Sequence, residues 1–275
     1  MSTDRPAGER KITVRELIEM KKRGEKIVAL TAYDVLFARL VDQAGTDVVL
    51  VGDSLAQVVL GYDSTLPVTL DEMIHHARAV RRGVRRGLLV VDLPFLTFQV
   101  SAEETVRNAG RVMKETGAEA VKLEGGHEEA VEHVARLVRA GIPVMGHIGL
   151  TPQSVHALGG YRVQGREEAQ AARLREEAVR LEEAGAFAVV LELLPGELAA
   201  EISRSLTIPT IGIGAGAECD GQVLVLPDML GLNDQFRPKF LHRFAELAAA
   251  ARTGIADYVT AVRGGDYPAR EHTFE

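Results

Sequence analysis

Tryptophan is absent from this chain, aromatic residues make up only 5% of it, and 275 residues include a single cysteine. With one thiol, Cys219, no intrachain disulfide can form, and a Cys-rich zinc site is excluded with it. No apolar run reaches the ~18 residues that point to a membrane span. Net positive charge is lacking too: a balance of -7 argues against nucleic acid as the main partner, because phosphate binding needs a basic face. The basic run AVRRGVRRG, with Arg81, Arg82, Arg85 and Arg86 at i,i+4 spacing, reads as a solvated or subunit-facing helix surface. No linker, repeat or low-complexity stretch interrupts the chain. The polar start MSTDRPAGERK has no apolar core of a secretory signal, so a cytoplasmic protein is expected, with residues 1–10 as a loose tail.

What is present is an ordinary globular composition, 46% hydrophobic and 26% charged. Eight short runs rich in Val, Ile and Leu recur: KIVALTA (26–32), DVVLVG (47–52), LLVVDL (88–93), EAVKLE (119–124), PVMGHI (143–148), AVVLEL (188–193), PTIGI (209–213) and QVLVLP (222–227). Runs apolar nearly throughout are strands covered on both faces, and helical patterns between several of them make βα units. Asp34 is placed to cap a helix with an apolar stripe of Leu36, Phe37, Leu40, Val41 and Ala44. Ser101 with Glu104 spells a capping box, Leu174, Ala178 and Leu181 line another helix, and a helix after Thr13 precedes the first strand. The step from the seventh run to the eighth leaves space for a short helix or none. A single closed (β/α)8 TIM barrel over residues 11–275, with an extra N-terminal helix, is the expected fold.

In such barrels chemistry gathers at the C-terminal ends of the strands. Asp53 and Ser54 follow the second run, Asp92 ends the third, Lys122 and Glu124 end the fourth, His147 the fifth and Glu192 the sixth. Each has a structural alternative. Asp53 and Ser54 can cap a helix, Asp92 can fix a turn, Lys122 and Glu124 can pair, and His147 can be a hydrogen-bonded core residue. Glu192, inside VVLELLP, is harder to explain as structure, because an unpaired carboxylate is expensive to bury. Carboxylates converging without Cys or clustered His give hard oxygen ligands suited to Mg²⁺. A 2-oxo acid chelated there would have its ketone polarised and the neighbouring C–H acidified, and a carboxylate in apolar surroundings would serve as base.

The motifs VGDS, VDLPF, VKLEGG, GHIGLTPQS, the glutamate of LELLP, IGIGAG and EHTF resemble, in order, those of the ketopantoate hydroxymethyltransferase family. The resemblance implies a phosphoenolpyruvate/pyruvate-like TIM barrel that uses Mg²⁺ to transfer a one-carbon unit from 5,10-methylenetetrahydrofolate to 3-methyl-2-oxobutanoate, giving 2-dehydropantoate. Carried over by motif, Asp53 and Asp92 are metal ligands with Glu124 beside the metal, Asp53, Ser54, Asp92 and Lys122 bind substrate, and Glu192 is the base. His147 supports them, and the family forms homodecamers. The alternatives are a Mg²⁺-dependent carbon–carbon lyase of the isocitrate lyase group, a Schiff-base aldolase on Lys122, and a barrel that binds a 2-oxo acid without turnover. The isocitrate lyase branch carries a catalytic cysteine in a KKCGH loop, and Cys219 lies in no such loop. The pair Gly125-Gly126 is expected to leave room for a ligand.

Overall fold

The computed structural model describes residues 10–274; the tail expected over 1–10 lies, Arg10 apart, outside them. In chain order the elements are α1 Val14–Arg23, β1 Ile27–Thr31, α2 Val35–Gln43, β2 Val48–Val51, α3 Leu55–Val58, α4 Leu70–Arg81, β3 Leu88–Asp92, α5 Ala102–Thr116, β4 Ala120–Lys122 and α6 Glu128–Arg139. They continue with β5 Val144–Gly149, α7 Glu168–Glu183, β6 Ala188–Glu192, α8 Gly196–Ser205, β7 Thr210–Ile213, β8 Gly221–Leu224, α9 Leu226–Met229 and α10 Leu247–Gly264. All eight strands fall on the eight apolar runs. They pair in parallel, each with the next, and β8 closes on β1 into a barrel.

The chain divides into two compact units, one through Val225 and one from Leu226 onward. The first holds the whole barrel. In the second, α10 buries only Ala248 and leaves Ile255, Tyr258, Val259 and Val262 exposed. Among the described residues no helix is long and apolar enough to cross a membrane.

Alternation along each strand sends every second side chain inward. Ile27, Ala29, Val48, Leu50, Leu88, Val90, Ala120, Met145, Ala188, Val190, Ile211 and Val223 fill the barrel, and Leu17 and Met20 of α1 join them from below. The helix after Thr13 therefore plugs the floor, and the Thr13 side chain caps it by accepting from the Glu16 N–H. No helix joins β7 to β8, which are linked by residues 214–220 alone. The outer faces of β1 and β8 are correspondingly thin in cover: Val28 is 48% exposed and Gln222 is exposed, whereas β2, β3 and β4 are buried at every position.

Several local expectations need correction. The stripe assigned to α2 is buried only in part: Leu36 and Leu40 are 67% and 60% exposed, while Val41 of that stripe faces inward together with Ala38 and Asp42. The reason is close packing against Gly83, where an added Cβ would lie 2.7 Å from that of Ala38, so the small side chain takes the contact. The Arg run is no continuous helix. Helix α4 stops at Arg81, and the Asp42 carboxylate receives the backbone N–H groups of Arg85, Arg86 and Gly87 at 2.8–3.1 Å. Arg86 spends its guanidinium on Gly45 O, Thr46 O and Asp47, which makes it an internal brace. Ser101 caps α5 through the Glu104 N–H without the reciprocal bond, whereas Thr69 and Glu72 form a complete capping box on α4.

Candidate active site

The inward positions that are apolar low in the barrel become ionisable at its top. On β3 the sequence Leu88, Val90, Asp92 shares one face; on β4 Ala120, Lys122; on β5 Met145, His147; on β6 Ala188, Val190, Glu192. Asp92 and Lys122 are register partners on adjacent strands, as are Gly149 and Glu192. Asp53 and Glu124 stand just beyond the ends of β2 and β4, both buried. The structure thus gathers Asp53, Asp92, Lys122, Glu124, His147 and Glu192 into one layer at the barrel mouth.

Lys122 Nζ lies 2.7 Å from Asp92 Oδ1 and 3.4 Å from His147 Nδ1. Asp92 Oδ2 accepts the Asp53 N–H at 3.1 Å. That approach passes Gly52, where a Cβ would meet Ser54 Oγ at 2.8 Å and Asp92 Oδ2 at 3.5 Å. His147 Nε2 is 3.3 Å from Glu192 Oε2, and its Nδ1 is 3.6 Å from Glu124 Oε1. An ammonium can only donate, so His147 accepts at Nδ1 from Lys122 and carries its proton on Nε2, which has no hydrogen-bond partner among the described residues. Ser54 sits at the N-cap of α3 without a capping bond; its hydroxyl meets Tyr33 OH at 2.8 Å instead. Next to Glu192, Leu193 is held at φ 49, a left-handed conformation uncommon outside glycine and a form of strain often found at functional sites. Gly149 is obligatory beside it, since its Cβ would fall 2.3 Å from Glu192 O.

The electrostatics follow from crowding acids around one base. Burial, reinforced by the charge of Asp92, pushes Asp53 up to about 7. Burial and Asp53 raise Glu124 well above the usual carboxylate range, and burial, partly offset by Lys122, brings Glu192 to about 7. Burial alone would lower Lys122, but Asp92, Glu124 and Asp53 outweigh it and hold the ammonium above its usual range. A lysine so firmly protonated is a poor Schiff-base nucleophile. Burial, then Lys122, keeps His147 neutral.

A stability consequence can be measured without substrate. Carboxyls raised to about 7 keep their protons in the folded chain after unfolded carboxyls, near 4, have lost theirs. The folded state binds more protons, so this contribution to stability is lost as pH rises from about 4 to about 7. His147, kept neutral, works in the opposite sense below its unfolded pKa of about 6.5. Comparison with Asp53→Asn cancels that term. In chelator-treated protein, Asp53→Asn should gain on the wild type by on the order of 1 kcal/mol between pH 5.5 and 8, read from urea unfolding. Parallel pH profiles would show that Asp53 is ionised throughout.

Gln153, uncharged and given no role of its own within the GHIGLTPQS motif, is the tie between these groups. In the 3-10 turn Pro152–Ser154, its N–H donates to Glu124 Oε2 at 3.0 Å, and its side-chain amide donates to Asp53 Oδ2 at 2.9 Å and Leu93 O at 3.0 Å. Gln99 in turn donates to Gln153 Oε1 at 3.1 Å. Its signals in the sequence were its place in GHIGLTPQS and its position after a proline in the loop following β5. Gly125 and Gly126, by contrast, leave no room for a ligand. A Cβ at Gly126 would meet Glu177 Cβ at 2.5 Å, and one at Gly125, where φ is +109, would meet the His127 ring at 2.9 Å. Both glycines serve packing and a tight turn. Cys219 is buried against Gly212, and burial raises its thiol, the opposite of an activated nucleophile.

Asp53, Asp92, Glu124 and Glu192 face a single buried lysine, so a hard divalent cation fits the donor chemistry and the charge deficit. Among the described residues no three His, Cys, Asp or Glu side chains form a ready-made ligand cluster. The fit is therefore to an ion held directly by few protein oxygens and completed by water and substrate, which is the habit of Mg²⁺.

The sequence model of the ketopantoate hydroxymethyltransferase family matches residues 11–270. A 3-methyl-2-oxobutanoate hydroxymethyltransferase of Syntrophus aciditrophicus is 56% identical over 265 residues, covering 96% of this chain and 97% of that protein. The protein of the same name from Syntrophotalea carbinolica is 55% identical over 262 residues, covering 95% and 98%. Among solved structures, phosphonopyruvate hydrolase in complex with oxalate and Mg²⁺ superposes with a TM-score of 0.60 at 14% identity, over 95% of this chain and 93% of that one. 2,3-Dimethylmalate lyase, a member of the PEP mutase/isocitrate lyase superfamily, gives 0.58 at 17% identity, over 95% and 91%. These two share the fold.

Proposed function

This chain belongs to the ketopantoate hydroxymethyltransferase family and is a transferase, and from that premise we propose that it moves a hydroxymethyl group from 5,10-methylenetetrahydrofolate to 3-methyl-2-oxobutanoate with the help of Mg²⁺. The product is 2-dehydropantoate. The observation that carries the reading is the ionisable layer itself, with a carboxyl near neutrality, Glu192, on the edge of a carboxylate cluster that holds one lysine.

Asp53 and Asp92 would hold the metal, with Glu124 beside it. When bound, Mg²⁺ polarises the keto oxygen and so acidifies the neighbouring C–H. Lys122, kept charged by Asp92, neutralises the substrate anion, and Ser54 contributes its hydroxyl and backbone to the same task. Glu192 removes the proton from C3; at a pKa of about 7 it is substantially ionised at neutral pH yet basic enough to accept. His147, neutral, lies 3.3 Å from the Glu192 carboxylate and supports it by contact. C3 then bonds to the methylene carbon, and both C–N bonds of the donor break. Water supplies the new hydroxyl oxygen, and the C3 proton and a water proton end on the two nitrogens of tetrahydrofolate.

A cytoplasmic homodecamer is part of the same proposal. The apolar side chains of α10 exposed to solvent support association. The deciding experiment is an assay of 2-dehydropantoate formation by the purified chain. Product should form with Mg²⁺, stop in EDTA and return when Mg²⁺ is restored; formation unchanged in EDTA would remove the metal from the mechanism. The lyase reading predicts instead cleavage of a larger 2-oxo or 2-hydroxy acid without folate.

A further inference from the structure

Beside the ionisable layer lies a cavity of about 400 Å³, in the usual range for a small-molecule site. Asp63 and Ser64, from the loop after α3, form one wall; Val155, His156, Gly159, Gly160 and Tyr161, from the loop after β5, form the other. Both walls are wired to the carboxylates. The β5 loop begins at Gln153, bonded to Asp53 and Glu124, and ends at Gln164, whose N–H donates to Leu193 O beside Glu192 at 2.9 Å. The opposite wall follows Asp53 and Ser54 through α3, and Gln57 Nε2 binds Asp63 O at 3.2 Å. Tyr161 lies within electrostatic reach of Glu192, Asp53 and Glu124.

The lining has a definite chemistry. Tyr161 and His156 offer flat faces. Gly159 and Gly160 have positive φ, and an added Cβ at either would meet nothing within 4 Å, so this wall is bare backbone with free space over it. The Asp63 carboxylate is exposed to solvent and makes no hydrogen bond or ion pair among the described residues. A flat bicycle with two adjacent N–H donors on one edge satisfies all three features, because paired donors match the two oxygens of a carboxylate. In the one-carbon donor the methylene bridge is attached directly to the pterin, so the ring must sit next to the carbon it alkylates.

We propose that this cavity holds the pterin ring of the folate donor, with Asp63 taking the N3–H and 2-amino edge and Tyr161 and His156 covering the ring face. The assignment rests on the hydroxymethyl-transfer reading above. The p-aminobenzoylglutamate tail then leaves through the open side of the cavity, and the methylene carbon faces the layer where C3 is deprotonated.

The test uses the full chain with Mg²⁺, as wild type, Asp63→Asn and Tyr161→Ala. Thermal melts confirm that each variant folds. KM is measured for 5,10-methylenetetrahydrofolate and for 3-methyl-2-oxobutanoate, and Kd for tetrahydrofolate by calorimetry. Both variants should raise the folate constants by roughly tenfold, the loss expected of a charge-assisted paired contact or a stacked ring. KM for the oxo acid should stay within about twofold. Folate constants unchanged in both variants, or an equal rise for both substrates, would overturn the pocket. Exchange of the C3 hydrogen into D₂O by the wild type separates the two levels. If exchange proceeds while the folate constants do not move, the pocket is wrong and the function stands; if the wild type neither exchanges nor forms product, both fall.

Discussion

Replacement of Glu192 by Gln is expected to slow C3 hydrogen exchange of 3-methyl-2-oxobutanoate in D₂O by roughly 10²- to 10⁴-fold, the usual contribution of a general base. The variant keeps the shape of the carboxyl and its place 3.3 Å from His147 Nε2, and it loses only the ability to accept a proton. Substrate and Mg²⁺ should therefore bind as in the wild type, since Asp53, Asp92 and Lys122 are untouched. Running the exchange without folate isolates enolisation from carbon–carbon bond formation. In the wild type the exchange rate should climb with pH through about 7, as Glu192 ionises, and the variant should lose that limb. Wild-type exchange by the Gln variant, with normal binding, would move the role of base to another group, and His147 would be the next to replace.

Asp92→Ala should have the second large effect, on rate and on stability together. Turnover should fall by roughly 10³-fold or more, the equivalent of several kcal/mol of lost charge stabilisation. The folded state should lose about 3 to 5 kcal/mol, because the buried Lys122 ammonium is left without its partner at 2.7 Å. The two effects come apart in the double variant Asp92→Ala/Lys122→Met. An apolar side chain in place of the stranded charge should restore most of the stability, as measured by urea unfolding, while turnover stays down. Recovery of activity in the double variant would mean that Asp92 does no more than accompany Lys122.

Much of this site was legible because two simple periodicities coincide. Parallel strands clad on both faces read as apolar runs, so all eight were found from composition alone, and Asp92, Lys122, His147 and Glu192 stood out as inward positions that break the apolar rule. Asp53 and Glu124 followed from their place at strand ends. Periodicity failed where packing distance decides. Nothing in Leu36 and Leu40 reveals that α2 must come close enough to Gly83 to bury Ala38 instead. Charge counting failed at Gln153, which acts through a backbone N–H and an uncharged amide and so has no signature among ionisable residues. The same limit applied to Gly125 and Gly126, whose neighbours Glu177 and His127 arrive from elsewhere in the chain.

The missing helix between β7 and β8 divides the barrel into unequal parts. Strands β2 to β6 and their end loops, which carry the ionisable residues and Gln153, form an arc clad from outside; β1 and β8 meet along a seam where Val28 and Gln222 reach solvent. Local opening favours segments with few buried apolar contacts and solvent-exposed hydrogen bonds, so amide exchange is expected to be faster along that seam than along β2 to β6. The spacing of carboxylates and lysine, set by the Asp92 and Lys122 register, is carried by β3 and β4, which are buried at every position.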